Sequence, residues 1–259
     1  MKIPHLRKLT NTLPHSWRFN LRRLYYRGDA KICPECNTSV RCFLPHGGGP
    51  DVLSRRRVVG GMRRDNDRCP VCHGRDRTRL MMLYLAKMVQ IDTEEHRLLH
   101  IAPDFSLYLW LKREKHVDYV ASDIDATRYR HIPEAVTANL MDLPFENNSF
   151  DIIICSHVLE HVPDDKKAMT ELWRVLKPGG KALLLVPFAM DGNGTDEDLE
   201  ITDPSEREGR FGQWDHVRLY DRGDFLERLN DAGFEVSLYA PFDIDEQEAT
   251  GLWLNPLEL

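Results

Sequence analysis

Residues 142–161, DLPFENNSFDIIICSHVLEH, contain the run that decides the fold. Phe150–Cys155 (FDIIIC) is close to continuously apolar, preceded by an Asn-Asn-Ser turn signal and followed by Ser156 and His157. Successive side chains of a strand point to opposite faces, so apolar residues at consecutive positions mean that both faces are covered. A strand of that kind belongs to a parallel sheet with helices on each side.

The flanking sequence repeats the pattern on both sides. Arg97–Ala102 predicts a short buried strand and Phe105–Lys115 a helix; Asp118–Ser122 predicts a strand running into Asp123-Ile-Asp125, and Ala135–Ala138 a short one. After the central run, Asp164–Leu176 predicts a helix stopped by Lys177-Pro-Gly-Gly180, and Lys181–Phe188 another buried strand. Asp221–Ala232 predicts a helix capped by Gly233, and Phe234–Tyr239 a final strand. Such alternation predicts an α/β, Rossmann-like, doubly wound sheet, with its ligand beyond the C-terminal ends of the strands. The helix Arg77–Val89 leads into this region, with Met81, Met82 and Met88 expected in the core.

One feature is unusual. The first strand turns through LLHIAPDFS (98–106), which has no glycine. Glycines at this turn let a pyrophosphate approach the backbone, so their absence argues against a dinucleotide.

Several stretches together resemble class I S-adenosylmethionine-dependent methyltransferases. They are the LPF-x-x-x-SFD segment from Leu143 to Asp151, VLEHV (158–162), and E-x-x-RVLKPGG from Glu171 to Gly180. The resemblance covers roughly residues 78–240 and implies a seven-stranded sheet and S-adenosylmethionine as cofactor. That cofactor carries an amino acid zwitterion and a sulfonium but no phosphate, so a Pro-bounded turn is physically tolerable. Contacts are implied from His100, Ala102, Pro103 and Asp104 at the first turn, and from Asp123 and Ile124 at the second strand's end. Asp123 would accept the ribose hydroxyls, with Asp125 as the alternative. Asn139, Leu140, Met141 and Asp142 stand where adenine contacts are expected; Asn139 replaces the family's aspartate. Ser156 completes the set. His157 and His161 are candidates for the acceptor's proton or its positioning, because an imidazole titrates near neutrality.

Residues 189–220 form a long polar insertion expected to act as a lid. Its Asp215 and His216 are further candidates for the acceptor site.

The N-terminal third differs in kind. Five of six cysteines precede residue 73, and four form two C-x-x-C pairs: Cys33, Cys36, Cys69 and Cys72. Two such pairs supply four thiolates for one structural zinc with no open position. The 32 intervening residues predict a β-hairpin with an elongated, mobile tip around His46-Gly-Gly-Gly-Pro50 and Arg55-Arg56-Arg57. The expected organisation is a basic helical segment (1–27), a zinc-ribbon-like module (28–76) and a methyltransferase domain (77–259). A zinc-bearing bacterial subgroup with a comparable arrangement is also resembled.

Residues 1–80 carry 18 Lys and Arg against 6 Asp and Glu; the remainder carries 17 against 35. A basic module facing an acidic domain predicts an anionic partner, or docking of one part on the other. The expected acceptor is an anionic small molecule, such as a sugar- or nucleotide-linked metabolite, methylated on oxygen or nitrogen. RNA is the alternative acceptor, and a catalytically inactive zinc-dependent binding module the second. Residues 6–26, basic with interleaved aromatics, suit peripheral contact with a membrane or RNA, or packing of a helix on the protein itself. No stretch is apolar enough to span a membrane and no secretory signal is evident, so a cytoplasmic location is expected. Oligomeric state is not encoded in any of these features.

Overall fold

The computed structural model describes residues 14–239. Its centre is a five-stranded parallel sheet of β5 (His96–Ile101), β6 (Val117–Asp123), β7 (Val136–Thr137), β8 (Phe150–Ser156) and β9 (Leu176–Leu185), ordered β7-β6-β5-β8-β9. The order reverses beside β5, so the ends of β5 and β8 open the crevice where α/β sheets take ligands. The Phe150–Cys155 run behaves as its pattern requires. Leu98, Ile152 and Ile154 pack with Met81, Met82, Leu107 and Leu111, from α3 (Asp76–Tyr84) and α4 (Phe105–Leu111). Leu99, Ile101, Ile153 and Cys155 face the other way, onto Ala168, Met169 and Leu172 of α5 (Asp165–Val175) and Phe225 and Leu229 of α7 (Arg222–Asp231).

Lys177-Pro-Gly-Gly180 ends α5 and lies within β9 as a bulge, since Phe150 pairs with Leu176 while Ile152 pairs with Lys181. Gly179 takes φ +78° there, and a Cβ on Gly180 would stand 2.9 Å from the Asp151 carbonyl oxygen. Lys177 Nζ closes the bulge on Asp151, 2.8 Å from both carboxylate oxygens.

Four expectations change. The parallel sheet has five strands among the described residues, not seven; Phe234–Tyr239 makes no strand. Met88 is 62% exposed, because Leu85–Val89 is a π-helical turn that rotates it off the face carrying Met81 and Met82. The insertion 189–220 is not a bare polar loop. It contains α6 (Pro204–Phe211) and a small sheet in which β12 (Arg218–Asp221) pairs with β10 (Phe188–Ala189) and β11 (Asp196–Glu197).

The fourth concerns the cysteine-bearing segment. It consists of α1 (His15–Tyr25), β1 (Arg27–Cys33) paired with β2 (Thr38–Val40), and β3 (Leu44–His46) paired with β4 (Arg64–Arg68) around α2 (Asp51–Arg55). The expected hairpin is present, but its tip is docked rather than free. Val52 and Val58 pack with Ala189, Ile201, Phe211 and Leu219, and Arg56 holds Asp191 at 2.7 Å. Part of the basic segment therefore docks on the acidic part, as one of the two charge readings anticipates. In α1, Trp17, Leu21, Leu24 and Tyr25 are exposed while Phe19 packs inward, so most of its apolar stripe does not lie on the rest of the protein. The first half of the expected 6–26 segment, residues 6–13, lies outside the described residues.

Candidate active site

The glycine-free turn adopts a glycine-like backbone. Ala102, directly after β5, has φ +47° and donates its N–H to the Ser122 carbonyl at 2.7 Å. Left-handed backbone costs a non-glycine residue about 1–2 kcal/mol, so the turn is kept at some expense. Pro103 is buried behind it. Asp104 occupies the cap position of α4 without making a cap hydrogen bond; its Oδ1 faces Arg77 Nη2 at 3.5 Å. His100 sits inside the sheet, fully buried, with Nδ1 3.0 Å from the Tyr119 hydroxyl, and burial lowers its pKa to about 4.

At the end of β6, Asp123 is buried and both carboxylate oxygens have partners. Oδ1 accepts from the Asp125 N–H at 2.8 Å and Oδ2 from the Tyr129 hydroxyl at 2.9 Å. Each oxygen keeps a second lone pair, so the carboxylate can still accept from a diol while the loop fixes its direction. Ile124 beside it is 65% exposed. Asn139 to Asp142 form a closed turn: Asn139 Oδ1 accepts from the Met141 N–H at 3.0 Å and its carbonyl from the Asp142 N–H at 2.9 Å. Leu140 is buried in the core; Asn139 and Asp142 are exposed and Met141 is half-buried.

Beyond β8 the chain turns sharply at His157, φ +56°, held by its N–H on the Leu185 carbonyl at 2.8 Å. Ser156 Oγ, buried, has no hydrogen-bond partner. His157 Nδ1 lies 3.1 Å from Glu160 Oε1. Glu160 is fully buried, and burial pushes its carboxyl up to about 8. Burial, reinforced by Arg77 and Arg75, holds His157 neutral, well below the usual histidine range. The insertion delivers the other candidates to the same place. The Val217 N–H donates to the Glu160 carbonyl at 3.0 Å, His161 Nδ1 is 3.4 Å from Asp215 Oδ2, and the rings of His161 and His216 meet edge-on at 4.7 Å. His157, His161, Asp215 and His216, far apart in sequence, thus gather around one acidic side chain.

His157, His161 and His216 open, with Ala102, Asp104 and Ser156, onto one end of a cavity of 1780 Å³ that continues along β9 to α7 and residues 233–239. His46, the Gly47-Gly48-Gly49 loop, Arg75 and Arg77 face them from the cysteine-bearing segment and α3. His100, Asp123, Ile124 and the Asn139–Asp142 turn do not line it. Sequence reasoning missed Arg75 and Arg77, which sit in a basic stretch that reads as general charge. Arg75 Nη1 is 2.7 Å from His46 Nε2, and among the described residues no carboxylate stands within ion-pair reach of Arg75. Arg218 was also missed as a structural centre. Fully buried, it donates to the carbonyls of Leu159 (2.8 Å), Val162 and Pro163 (2.9 Å) and to Glu197 (2.7 Å), fixing the loop that carries Glu160 and His161.

The four paired cysteines converge. Cys33 and Cys72 sulfurs are 3.7 Å apart and those of Cys36 and Cys69 3.9 Å. Four thiolates about 2.3 Å from a zinc ion stand about 3.8 Å from one another along the edges of a tetrahedron, so these residues can hold one. The Val71 and Gly74 N–H groups each donate to a cysteine sulfur at 3.4 Å, stabilising thiolate charge. Gly74 is required by packing: a Cβ there would lie 1.7 Å from Glu35 Oε2. Cys42, His46 and His73 stand outside the group of four.

A five-stranded parallel sheet with an acidic residue ending its second strand, and an open crevice beside its first and fourth, is the arrangement that the sequence resemblance to class I S-adenosylmethionine-dependent methyltransferases implies. Residues 102–184 match the family model described as a methyltransferase domain. An uncharacterized protein of Methanocaldococcus jannaschii is 41% identical over 59 residues, covering 23% of this chain and 26% of that one. A ubiquinone/menaquinone biosynthesis C-methyltransferase of Brucella canis is 50% identical over 52 residues, covering 20% and 19%. The chain thus spans a fifth to a quarter of the curated relatives it matches. Among solved structures, an S-adenosylmethionine-dependent methyltransferase from Mesorhizobium loti is 15% identical, covers 64% of this chain and 88% of its own, and gives a TM-score of 0.43. Among the described residues, no helix is long and apolar enough to cross a membrane.

Proposed function

We propose that this protein transfers the methyl group of S-adenosylmethionine to an anionic small molecule seated between the cysteine-bearing segment and the sheet. The observation that carries the acceptor class is Arg75, a cavity-lining guanidinium that meets a neutral imidazole and, among the described residues, makes no ion pair, Asp104, Asp67 and Asp76 acting on it only from longer range. An acceptor bearing phosphate or carboxylate would complete it. The Ala102–Asp104 turn would take the cofactor's amino acid end and Asp123 its ribose, with Ile124 and Met141 against the purine. Zinc on Cys33, Cys36, Cys69 and Cys72 would hold the basic wall of the cavity in place and take no part in the chemistry.

Transfer is an in-line displacement, so alignment and exclusion of water supply most of the rate. The acceptor oxygen or nitrogen attacks the methyl carbon, the carbon–sulfur bond breaks, and its electron pair stays on sulfur. His157 is held through Nδ1 by Glu160; with its ring proton on that nitrogen, Nε2 would take the acceptor's proton. Carbon methylation is the second reading, favoured by the name of the Brucella canis relative. RNA as acceptor requires the cavity to admit a strand, although the docked hairpin tip narrows that route.

The test is methyl transfer from labelled cofactor to a panel of phosphorylated and carboxylated metabolites, with RNA and a quinol in parallel. Transfer to an anionic metabolite, weakened at least tenfold in Arg75→Ala, supports the reading. Transfer confined to RNA or to a quinol carbon overturns it.

A further inference from the structure

Glu160, His161 and His216, which line the cavity, each present one donor atom within 4.8 Å of the others. Three features set this group apart from a chance meeting of polar residues. His216 Nδ1 is engaged with the Phe211 carbonyl at 3.2 Å. His161 Nδ1 is engaged with Asp215, 3.3 Å from its carbonyl and 3.4 Å from its carboxylate. Both rings are therefore fixed with the proton on Nδ1 and the lone pair on Nε2, the arrangement in which metal-binding histidines are held by their outer partners. The third feature is Glu160 itself. It is fully buried, its Oε1 lies 3.1 Å from His157 Nδ1, and among the described residues its Oε2 has no hydrogen-bond partner. An orphaned buried carboxylate oxygen costs free energy unless something meets it.

Donors around an ion at about 2.1 Å stand roughly 3–4 Å apart, and His216 Nε2 is already 4.0 Å from Glu160 Oε1. We propose that Glu160, His161 and His216 bind a divalent transition-metal ion, distinct from the ion on the cysteines, which holds the methyl acceptor by an oxygen. Two imidazoles and one carboxylate suit the manganese-to-zinc series rather than magnesium or calcium, and leave coordination positions open toward the cavity. The role in holding the acceptor rests on the methyltransferase reading above; the metal site does not. Glu160, His161 and His216 would hold the ion, which would lower the pKa of an acceptor hydroxyl; His157 beside Glu160 would take that proton, and the acceptor oxygen would displace the methyl group from sulfur, which would keep the electron pair.

The experiment uses the full chain with zinc on its cysteines, titrated with Co²⁺ and followed by visible absorption and metal analysis. One cobalt per chain beyond the zinc is expected, with weak d–d bands and no thiolate-to-metal charge transfer. Affinity should fall at least 100-fold in His216→Ala and His161→Ala, and 10- to 100-fold in Asp215→Asn, which touches no metal and acts through His161. Thermal unfolding of each variant separates loss of the site from loss of the fold, and the wild-type stoichiometry stands independently of any variant. No cobalt bound beyond the zinc at millimolar concentration, or equal affinity in wild type and all three variants, overturns the proposal. Cofactor binding measured on the same preparations keeps the two readings apart: cofactor without cobalt removes this site and leaves the methyltransferase reading standing.

Discussion

Replacing Ala102 by glycine should stabilise the protein, although removing a methyl group from a half-buried residue ordinarily does the opposite. Ala102 has φ +47°, a conformation costing an L-residue about 1–2 kcal/mol that glycine adopts freely. Against this, glycine loosens the unfolded chain by about 0.4–1 kcal/mol. The balance favours Ala102→Gly by about 0.5 kcal/mol, a rise in Tm of about 1–2 °C for a chain of this size. The matched control is Ala121→Gly in β6, which is extended, 2% exposed and has no left-handed strain to relieve. It should lose about 1 kcal/mol or more. Differential scanning calorimetry of the zinc-loaded variants, side by side, reads the sign directly. If Ala102→Gly loses as much as Ala121→Gly, the turn is not left-handed, and the placement of Pro103 and Asp104 toward the cofactor fails with it.

Arg218→Met should cost about 1–3 kcal/mol in urea unfolding, because it takes the donor from the Val162 and Pro163 carbonyls, while Glu197 keeps its pair with Arg228. An effect below 1 kcal/mol would show that the loop is held elsewhere. His100 should make the protein acid-labile. Its folded pKa of about 4 lies below the ordinary 6.5, so the unfolded state binds the proton more readily and stability falls as pH drops from about 6.5 to 4. The full shift is worth about 3 kcal/mol, and His100→Leu should flatten that part of the stability-against-pH curve; an unchanged slope contradicts the assignment. Metal analysis should find zinc bound by the cysteines. Cys69→Ser or chelation should melt the segment around Phe43 and Val71 first, seen as protease cleavage before residue 76. Cleavage no faster than in the zinc-loaded protein would refute a structural role.

The sheet was legible because FDIIIC has no period-two alternation, and only a strand covered on both faces tolerates that. The site was legible where it follows strand ends: Asp123, Ser156 and His157 lie there by topology. Asp215 and His216 were reachable only as a polar cluster in an insertion, and their meeting with His161 depends on a backbone bond from Val217 to Glu160 that no local pattern encodes. Met88 was misplaced because a π-helical turn inserts one extra residue into a helical period. The hairpin tip read as mobile because its glycines and arginines look solvated; Val52 and Val58, which bury it, are too few to register as a periodic face. Arg75 and Arg218 carry charge that, in sequence, is indistinguishable from surface charge.

The central claim is that S-adenosylmethionine binds across the C-terminal ends of β5 and β6, with its ribose on Asp123. Isothermal titration of the zinc-loaded chain with S-adenosylmethionine and its demethylated product tests it most directly, using Asp123→Asn, which retains an oxygen for the Asp125 N–H. Binding by the wild type, weakened by about 1–3 kcal/mol in the variant at unchanged Tm, is the predicted result. No heat of binding at millimolar ligand, or equal affinity in both proteins, would contradict it.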